Sequence, residues 1–308
     1  MGAAAAFVVV NYGSSELLAA NLVASAVSCG PAIVVVVDNP TTDDERRRVR
    51  ALSAAQGWSL VEASENVGFG GGMNLGVARA RELGATEFLL LNPDARIGAE
   101  AWKTLHAALT PNALVAPRIV DGVGRTWFDG ADLYLSDGRT MGAHRRSQRP
   151  GEPRWPWLTG ACLLVGDDLW QRVGGFDEEY FLYWEDVDLS RRVVDAGGEL
   201  VLVRDAEVVH DEGGTHREAG RPEAKSSTYY YHSIRNRLMF AVKHLDDEGV
   251  RRWSRSSIAA AKEVLLRGGR RQFAHPMAPL RAAYRGIRDG RRLVRAHLRG
   301  ARDGEGRS

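Results

Sequence analysis

Two short stretches carry side chains that chemistry could use. In FLLLNPDARIG, residues Phe88 to Gly98, an apolar run ends abruptly on Asn92-Pro93-Asp94. A carboxylate at the rim of a buried strand must be solvated, paired or bound to a metal, because burying it alone is very costly. Pro93 fixes the backbone beside Asp94, and with it the direction of the carboxylate. A hard divalent cation bridging Asp94 and a phosphate would satisfy it; the plain alternative, an N-cap for a helix over Ala99 to Leu109, falls several residues too early. The second stretch is Glu185-Asp186-x-Asp188, directly after Tyr180, Phe181, Tyr183 and Trp184. Acids suit a first helical turn in any case. An aromatic wall, however, strips solvation from a carboxylate and raises its pKa toward the range of a general base. Asp186 falls on the face of Leu189 and Ser190, while Glu185 and Asp188 fall with Arg192. That division separates one acid for chemistry from others for structure.

His210 ends the strand-like AEVVH. It is either a surface histidine or a neutral imidazole ligand joining Asp94 on a Mn²⁺-like ion; His216 is the lesser candidate. The glycines of SENVGFGGGMNLG, residues 64 to 76, either let backbone N–H groups approach a phosphate or form a flexible turn. No Gly-Lys-Ser/Thr follows, and the glycines come after the third strand and not the first, so neither a Walker loop nor a dinucleotide fingerprint fits. Asp38-Asn39 either caps a turn or presents Asp38 to the imide N–H of a pyrimidine.

These residues need a scaffold that brings them together. Strands are expected at Ala6–Asn11, up to Asp38, at Trp58–Glu62 and at Phe88–Leu91. Helices are expected at Ser15–Ser28, after Thr42 (with Glu45 as a capping box) and at Asn74–Leu83. Such alternation predicts an α/β fold, with a mostly parallel central sheet flanked by helices. Ligands of such sheets lie beyond the carboxyl ends of the strands, where Asn11, Tyr12, Asp38, Asn39, Asn92 and Asp94 collect into a cleft. Residues 118–156 read as hairpins or a surface excursion, and ELVLVRDAEVVH as two short strands. Beyond Ser226 the chain reads as helical.

Of the 308 residues, 44% are hydrophobic and 26% charged, which excludes a disordered or fibrous chain. Two distant cysteines, Cys29 and Cys162, fit a reducing compartment and exclude a disulfide framework or zinc site. The N-terminal apolar run lacks a basic flank and reads as a strand, and no segment has the length of a membrane span. A cytoplasmic protein, at most peripheral on the inner face of the membrane, is expected. Residues 249–308 hold 16 Lys and Arg against 4 Asp and Glu, a net +12, which leaves −10 for residues 1–248. In that basic tail Leu280, Tyr284 and Ile287 share a helical face with arginines around it. The pattern suits anionic lipid, a solvated helix or a homodimer contact; no specific nucleic acid is expected.

Taken in order, VVVNY, VVDN, ENVGFGGGMNLG, LLLNPDARI, LTGACLLV, VGGFDEEYFLYWEDVDLSRR and His210 resemble the inverting nucleotide-sugar glycosyltransferases of the GT-A fold. The resemblance is to the large bacterial family that includes rhamnosyltransferases and galactofuranosyltransferases, and it covers Phe7 to His216. It implies a GT-A catalytic domain over 1–225, with a nucleotide-binding half (1–117) and an acceptor half (118–225), before a helical, arginine-rich region over 226–308. Asn11, Tyr12, Asp38 and Asn39 would hold base and ribose, and Asn66, Gly68 and Asn74 would line the donor pocket. Asp94 would carry Mn²⁺ or Mg²⁺, with Asn92 in place of the first aspartate of the DxD motif. Asp186 would be the catalytic base, Gly160 would lie beside the sugar, and Trp184 and Glu185 would face the acceptor. Arg235-Asn236 resembles a feature of rhamnosyltransferase relatives and would act against the diphosphate. The donor would be a dTDP- or UDP-sugar, first dTDP-rhamnose, and the acceptor a saccharide, a lipid-linked sugar or a small molecule. A retaining route needs a separate nucleophile that the sequence does not offer. A sugar nucleotidyltransferase would want a basic residue in the loop Asn11 to Glu16, which has none, and a noncatalytic sugar-nucleotide-binding protein would not need the Glu-Asp pair.

Overall fold

The computed structural model describes residues 4–210, 225–269 and 276–305; His216 lies outside them. Strands β1 (Ala5–Asn11), β2 (Ile33–Asp38), β3 (Ser59–Glu62) and β4 (Glu87–Leu91) pair in parallel in the order β3-β2-β1-β4. The valines and leucines of β1, β2 and β4 are almost wholly buried, because helices cover both sheet faces. Each such side chain contributes roughly 1.5–3 kcal/mol relative to exposure.

The crossovers are α1 (Ser15–Leu17), continuing through a π-helical stretch (Leu18–Leu22) into α2 (Val23–Cys29), then α3 (Asp43–Gln56) and α4 (Gly68–Glu82). Thr42 caps α3 as expected, accepting from the N–H of Glu45. The Glu45 carboxylate does not reach back; it accepts from the N–H and hydroxyl of Ser15, so one residue ties the starts of two helices. In the π-helical stretch, Asn21 donates from Nδ2 to the Pro93 carbonyl at 3.2 Å.

Beyond β4 come β5 (Ala95–Ile97), α5 (Ala99–Ala107), β6 (Ala113–Val120) and β7 (Thr126–Phe128), which pairs with β6. The hairpin β8 (Ala131–Tyr134) and β9 (Arg139–Gly142), joined by β10 (Arg154–Trp157), forms a separate three-stranded sheet. β11 (Cys162–Gly166) returns to the main sheet antiparallel between β4 and β6, followed by α6 (Asp167–Val173) and α7 (Glu185–Asp195). The stretch read as two strands is one, β12 (Glu199–His210), parallel to β6 and irregular between Val203 and Glu207. Its partner there is Pro117, which has no N–H to donate to the ladder.

Helices α8 (Ser227–His244), α9 (Asp247–Arg255), α10 (Ser257–Leu266) and α11 (Met277–Glu305) complete the chain. α11 lies close on α8: a Cβ at Gly286 would stand 2.8 Å from the Tyr231 carbonyl, and one at Gly290 2.9 Å from Leu238. The expected apolar stripe is therefore split, with Leu280 and Tyr284 exposed and Ile287 packed inward against Ile234, Ala261 and Ala283. Among the described residues no helix is long and apolar enough to cross a membrane.

Candidate active site

A single cleft of about 1290 Å³ opens over the carboxyl ends of β1, β2 and β4 and runs beneath α7, α8 and α10. It exceeds the usual volume of a small-molecule pocket, roughly 300–1,000 Å³, so it has room for two substrates. Tyr12, Asn39, Asn66, Gly68, Asn92, Asp94, Gly160, Trp184, Glu185, Asp186 and His210 all line it.

The floor is a network already satisfied from within. Asn11 donates to Asp38 Oδ1 at 2.7 Å and accepts from the N–H and hydroxyl of Ser14; Arg46 Nε donates to Asp38 Oδ2 at 3.0 Å. Both Asn11 and Asp38, expected to hold base and ribose, are buried beneath the cleft and are not among the residues that line it. Asn39 accepts from the Val67 N–H and donates to the Gly68 carbonyl, pinning the glycine-rich segment.

That segment packs closely against its own protein. It is the first part of α4, which begins at Gly68 and not at Asn74. The Gly68 N–H donates to Asn66 Oδ1 and the Phe69 N–H to the Phe181 carbonyl, so both face protein acceptors. The glycines answer to close packing: a Cβ would meet Phe176 at 2.9 Å from Gly70, Val10 at 2.8 Å from Gly72 and Val8 at 2.3 Å from Gly76. Asn74, expected in the donor pocket, is not among the residues that line the cleft; its amide clamps the backbone of Phe176 from both sides and donates to Glu178.

At the end of β4, Asp94 Oδ1 stands 3.1 Å from His210 Nε2, with both side chains buried. The antiparallel register of β5 and β12, which pairs Ala95 with His210, joins two residues more than a hundred positions apart. Asn92 Nδ2 lies 3.5 Å from the same imidazole nitrogen, and the ring of Trp127 flanks it at 4.8 Å. A carboxylate oxygen beside an imidazole nitrogen is a donor pair of a kind that a divalent cation such as Mn²⁺ accepts. Among the described residues no third His, Cys, Asp or Glu joins them.

Across the cleft, α7 opens with its three acids in different states. Asp188 accepts from Tyr180, Arg192 and His244, and its carboxyl is held below the usual range despite burial. Among the described residues Asp186 has only backbone donors, with Gly160 N–H at 3.0 Å and Val187 N–H at 2.8 Å. Burial outweighs them and pushes its pKa up to about 6. Glu185 does not join Arg192 as expected. Its Oε2 is buried with no hydrogen-bond partner among the described residues, and burial, then the charge of Asp186, pushes its carboxyl well above the ordinary value. The segment before α7 is strained: Phe181, Tyr183 and Trp184 have φ of 63°, 65° and 78°, each costing on the order of 1–3 kcal/mol in a non-glycine residue.

The family profile described as "Glycosyltransferase like family 2" matches residues 3–241. The chain belongs to that family. It is 26% identical over 272 residues to the N-acetylglucosaminyl-diphospho-decaprenol L-rhamnosyltransferase of Mycobacterium tuberculosis, covering 79% of this chain and 86% of that one. To the dTDP-rhamnosyl transferase RfbF of Shigella flexneri it is 24% identical over 208 residues, covering 67% and 68%. Among solved structures it is similar to the mannosyltransferase PcManGT of Pyrobaculum calidifontis, in complex with GDP-Man and Mn²⁺ (TM-score 0.52, 15% identity, 97% and 87% covered). It is also similar to GalNAc-T7 with UDP, GalNAc and Mn²⁺ (TM-score 0.57, 14% identity, 78% of this chain and 47% of that chain, about half its length). The fold is GT-A, and the protein is a nucleotide-sugar-dependent glycosyltransferase.

Several parts of the glycosyltransferase's cleft were not anticipated. Trp127, Thr159, Tyr229 and His232 line it. The spacing Tyr229, His232, Ser233, Arg237 was legible as one helical face, yet nothing in it said which way the face points. His232 stacks on Phe181 with ring centroids 5.2 Å apart, and burial holds it down to about 4, a neutral imidazole at ordinary pH. Arg235, expected to act against the diphosphate, donates to the Glu179 carbonyl and to Asn236 and is not among the residues that line the cleft.

Proposed function

We propose that the enzyme transfers a hexosyl group, first L-rhamnose from dTDP-rhamnose, to an acceptor hydroxyl by single displacement with inversion. Asp186, ionised above about pH 6, takes the proton from the acceptor hydroxyl as its oxygen attacks the anomeric carbon. Gly160 and Val187 orient that carboxylate through their N–H groups, and Trp184 walls the acceptor side. Asp94 and His210 would hold a Mn²⁺ or Mg²⁺ ion, which when bound would offset charge on the departing nucleoside diphosphate. The observation that carries the reading is the sharing of one cleft by a desolvated, lightly bonded Asp186 and the Asp94–His210 pair.

The choice of rhamnose draws support from two relatives named for its transfer, and one of these is named for a diphospho-decaprenol acceptor. A lipid-linked acceptor is consistent with α11, where exposed Met277, Leu280 and Tyr284 lie among exposed Arg281 and Arg285, a pattern attracted to anionic membranes. The test is a panel of dTDP-, UDP- and GDP-sugars assayed for thermal stabilisation and nucleotide release, with Mn²⁺ and with EDTA. Stabilisation and release are expected, strongest with dTDP-rhamnose and lost in EDTA. No response to any nucleotide sugar would refute the assignment of substrate class.

A further inference from the structure

Every described non-glycine residue with positive φ falls in the four positions 181–184, immediately before Glu185 and Asp186. Such a turn persists only where its surroundings hold it. Asn236, fully buried in α8, aims its amide at this turn: Nδ2 lies 2.8 Å from the Tyr180 carbonyl, 2.9 Å from that of Leu182 and 2.8 Å from that of Tyr183. Its Oδ1 accepts from Arg235 Nη1 at 2.7 Å, and Arg235 in turn donates to the Glu179 carbonyl, which fixes the orientation of the amide. The Phe69 N–H also holds the Phe181 carbonyl at 2.9 Å, and only a glycine fits at position 68, where a Cβ would lie 2.1 Å from that oxygen.

We propose that Asn236 is a positioning residue for glycosyl transfer: by gathering three carbonyls of the 180–183 turn it holds Trp184 in its left-handed conformation and so sets where α7 begins and where Asp186 enters the cleft. The proposal rests on Asp186 being the base. An amide is the right group because three carbonyl oxygens converge on one point and repel each other unless a donor stands there. Asn236 does not line the cleft, so it acts only through the turn. The C-terminal helices thereby become part of the catalytic apparatus.

The test compares Asn236→Asp, of the same shape but with an oxygen where the donor was, and Asn236→Ala with Met239→Ala. Met239 is buried on the same helix in the cluster that includes Leu238 and Phe240 and does not line the cleft. Measured are Tm, affinity for the nucleoside diphosphate, kcat, and hydrogen exchange of residues 181–186. Displacement of a catalytic group by about 1 Å costs on the order of 10²-fold in rate, so both Asn236 variants should lose about that in kcat. They should keep nucleotide affinity within about threefold and exchange faster over 181–186, while Met239→Ala at an equal Tm loss should keep kcat within about threefold. Near-normal kcat in either Asn236 variant, or an equal loss in Met239→Ala, overturns the proposal. Should Asn236→Asp and Asn236→Ala not fold, Asn236→Ser, which retains one donor, takes their place. Asp186→Asn run in parallel keeps the two ideas apart: turnover preserved there defeats the base, whereas unchanged exchange at 181–186 defeats the role of Asn236.

Discussion

The floor of the cleft and the wall facing it treat buried acids in opposite ways. Under the floor, Asp38 has both oxygens engaged, one by Asn11 and one by Arg46. On the wall, Glu185 keeps a buried oxygen without a hydrogen-bond partner among the described residues, and Asp186 rests on two backbone N–H groups. Asp188 repeats the floor's solution three residues along the same helix as Glu185, with Tyr180, Arg192 and His244 around it. Fully bonded acids hold the frame, and under-bonded acids in a desolvated place are available for proton transfer. Environment, not residue type, divides them.

The contrast can be broken most severely at Asp186. Asp186→Asn should lower turnover by about 10³-fold, within the range of a lost general base, with nucleotide affinity unchanged by calorimetric titration. Turnover within tenfold of the parent would move the chemistry elsewhere. Asp94→Ala should come next, weakening Mn²⁺-dependent nucleotide binding by about 10²-fold and leaving the weaker metal-free binding as it was; equal loss with and without Mn²⁺ would place Asp94 in the frame instead. A pH profile sharpens the difference: kcat/KM should fall about tenfold per pH unit below about 6, because only ionised Asp186 accepts a proton. A profile flat from pH 8 to pH 5 would contradict it.

The smallest effect concerns stability at Glu185. Its folded pKa lies above its unfolded one, so its contribution is fully present below the unfolded value near 4.5 and is lost as pH rises through the folded value. Glu185→Gln should therefore raise Tm by about 2–4 °C at pH 8, a gain of about 1 kcal/mol, and give no gain at pH 4. The same substitution at Asp188, which breaks a satisfied network in place of relieving an unsatisfied one, should lower Tm at pH 8; a gain at Asp188→Asn would erase the distinction.

The sequence was most legible where a signal is local. Apolar runs in β1, β2 and β4 announced themselves, and their polar ends marked the cleft. The aromatic residues before Glu185-Asp186 announced desolvation. Failures arose wherever a partner lies far along the chain. The glycines of α4 resemble a phosphate loop until Phe176, Phe181, Val8 and Val10 are seen against them. Asn74 and Arg235 look like ligand-binding side chains until Phe176 and Glu179 take their hydrogen bonds. Asp38 looked available to a base because the register of β1 and β2, which sets Asn11 from twenty-seven residues earlier against it, could not be seen. The strained turn at 181–184 is the extreme case. Its composition, Phe-Leu-Tyr-Trp, argues against positive φ, and its stabiliser Asn236 lies some fifty residues later.

The anomeric configuration of the first-formed product, followed by proton NMR, bears most directly on a base that faces the nucleotide across one sugar. Attack by an acceptor activated at Asp186 predicts a product of configuration opposite to that of the donor. A product that keeps the donor's configuration would mean that the bond is made on the nucleotide's own face or in two steps, and would contradict the assignment of Asp186 as the base of a single displacement.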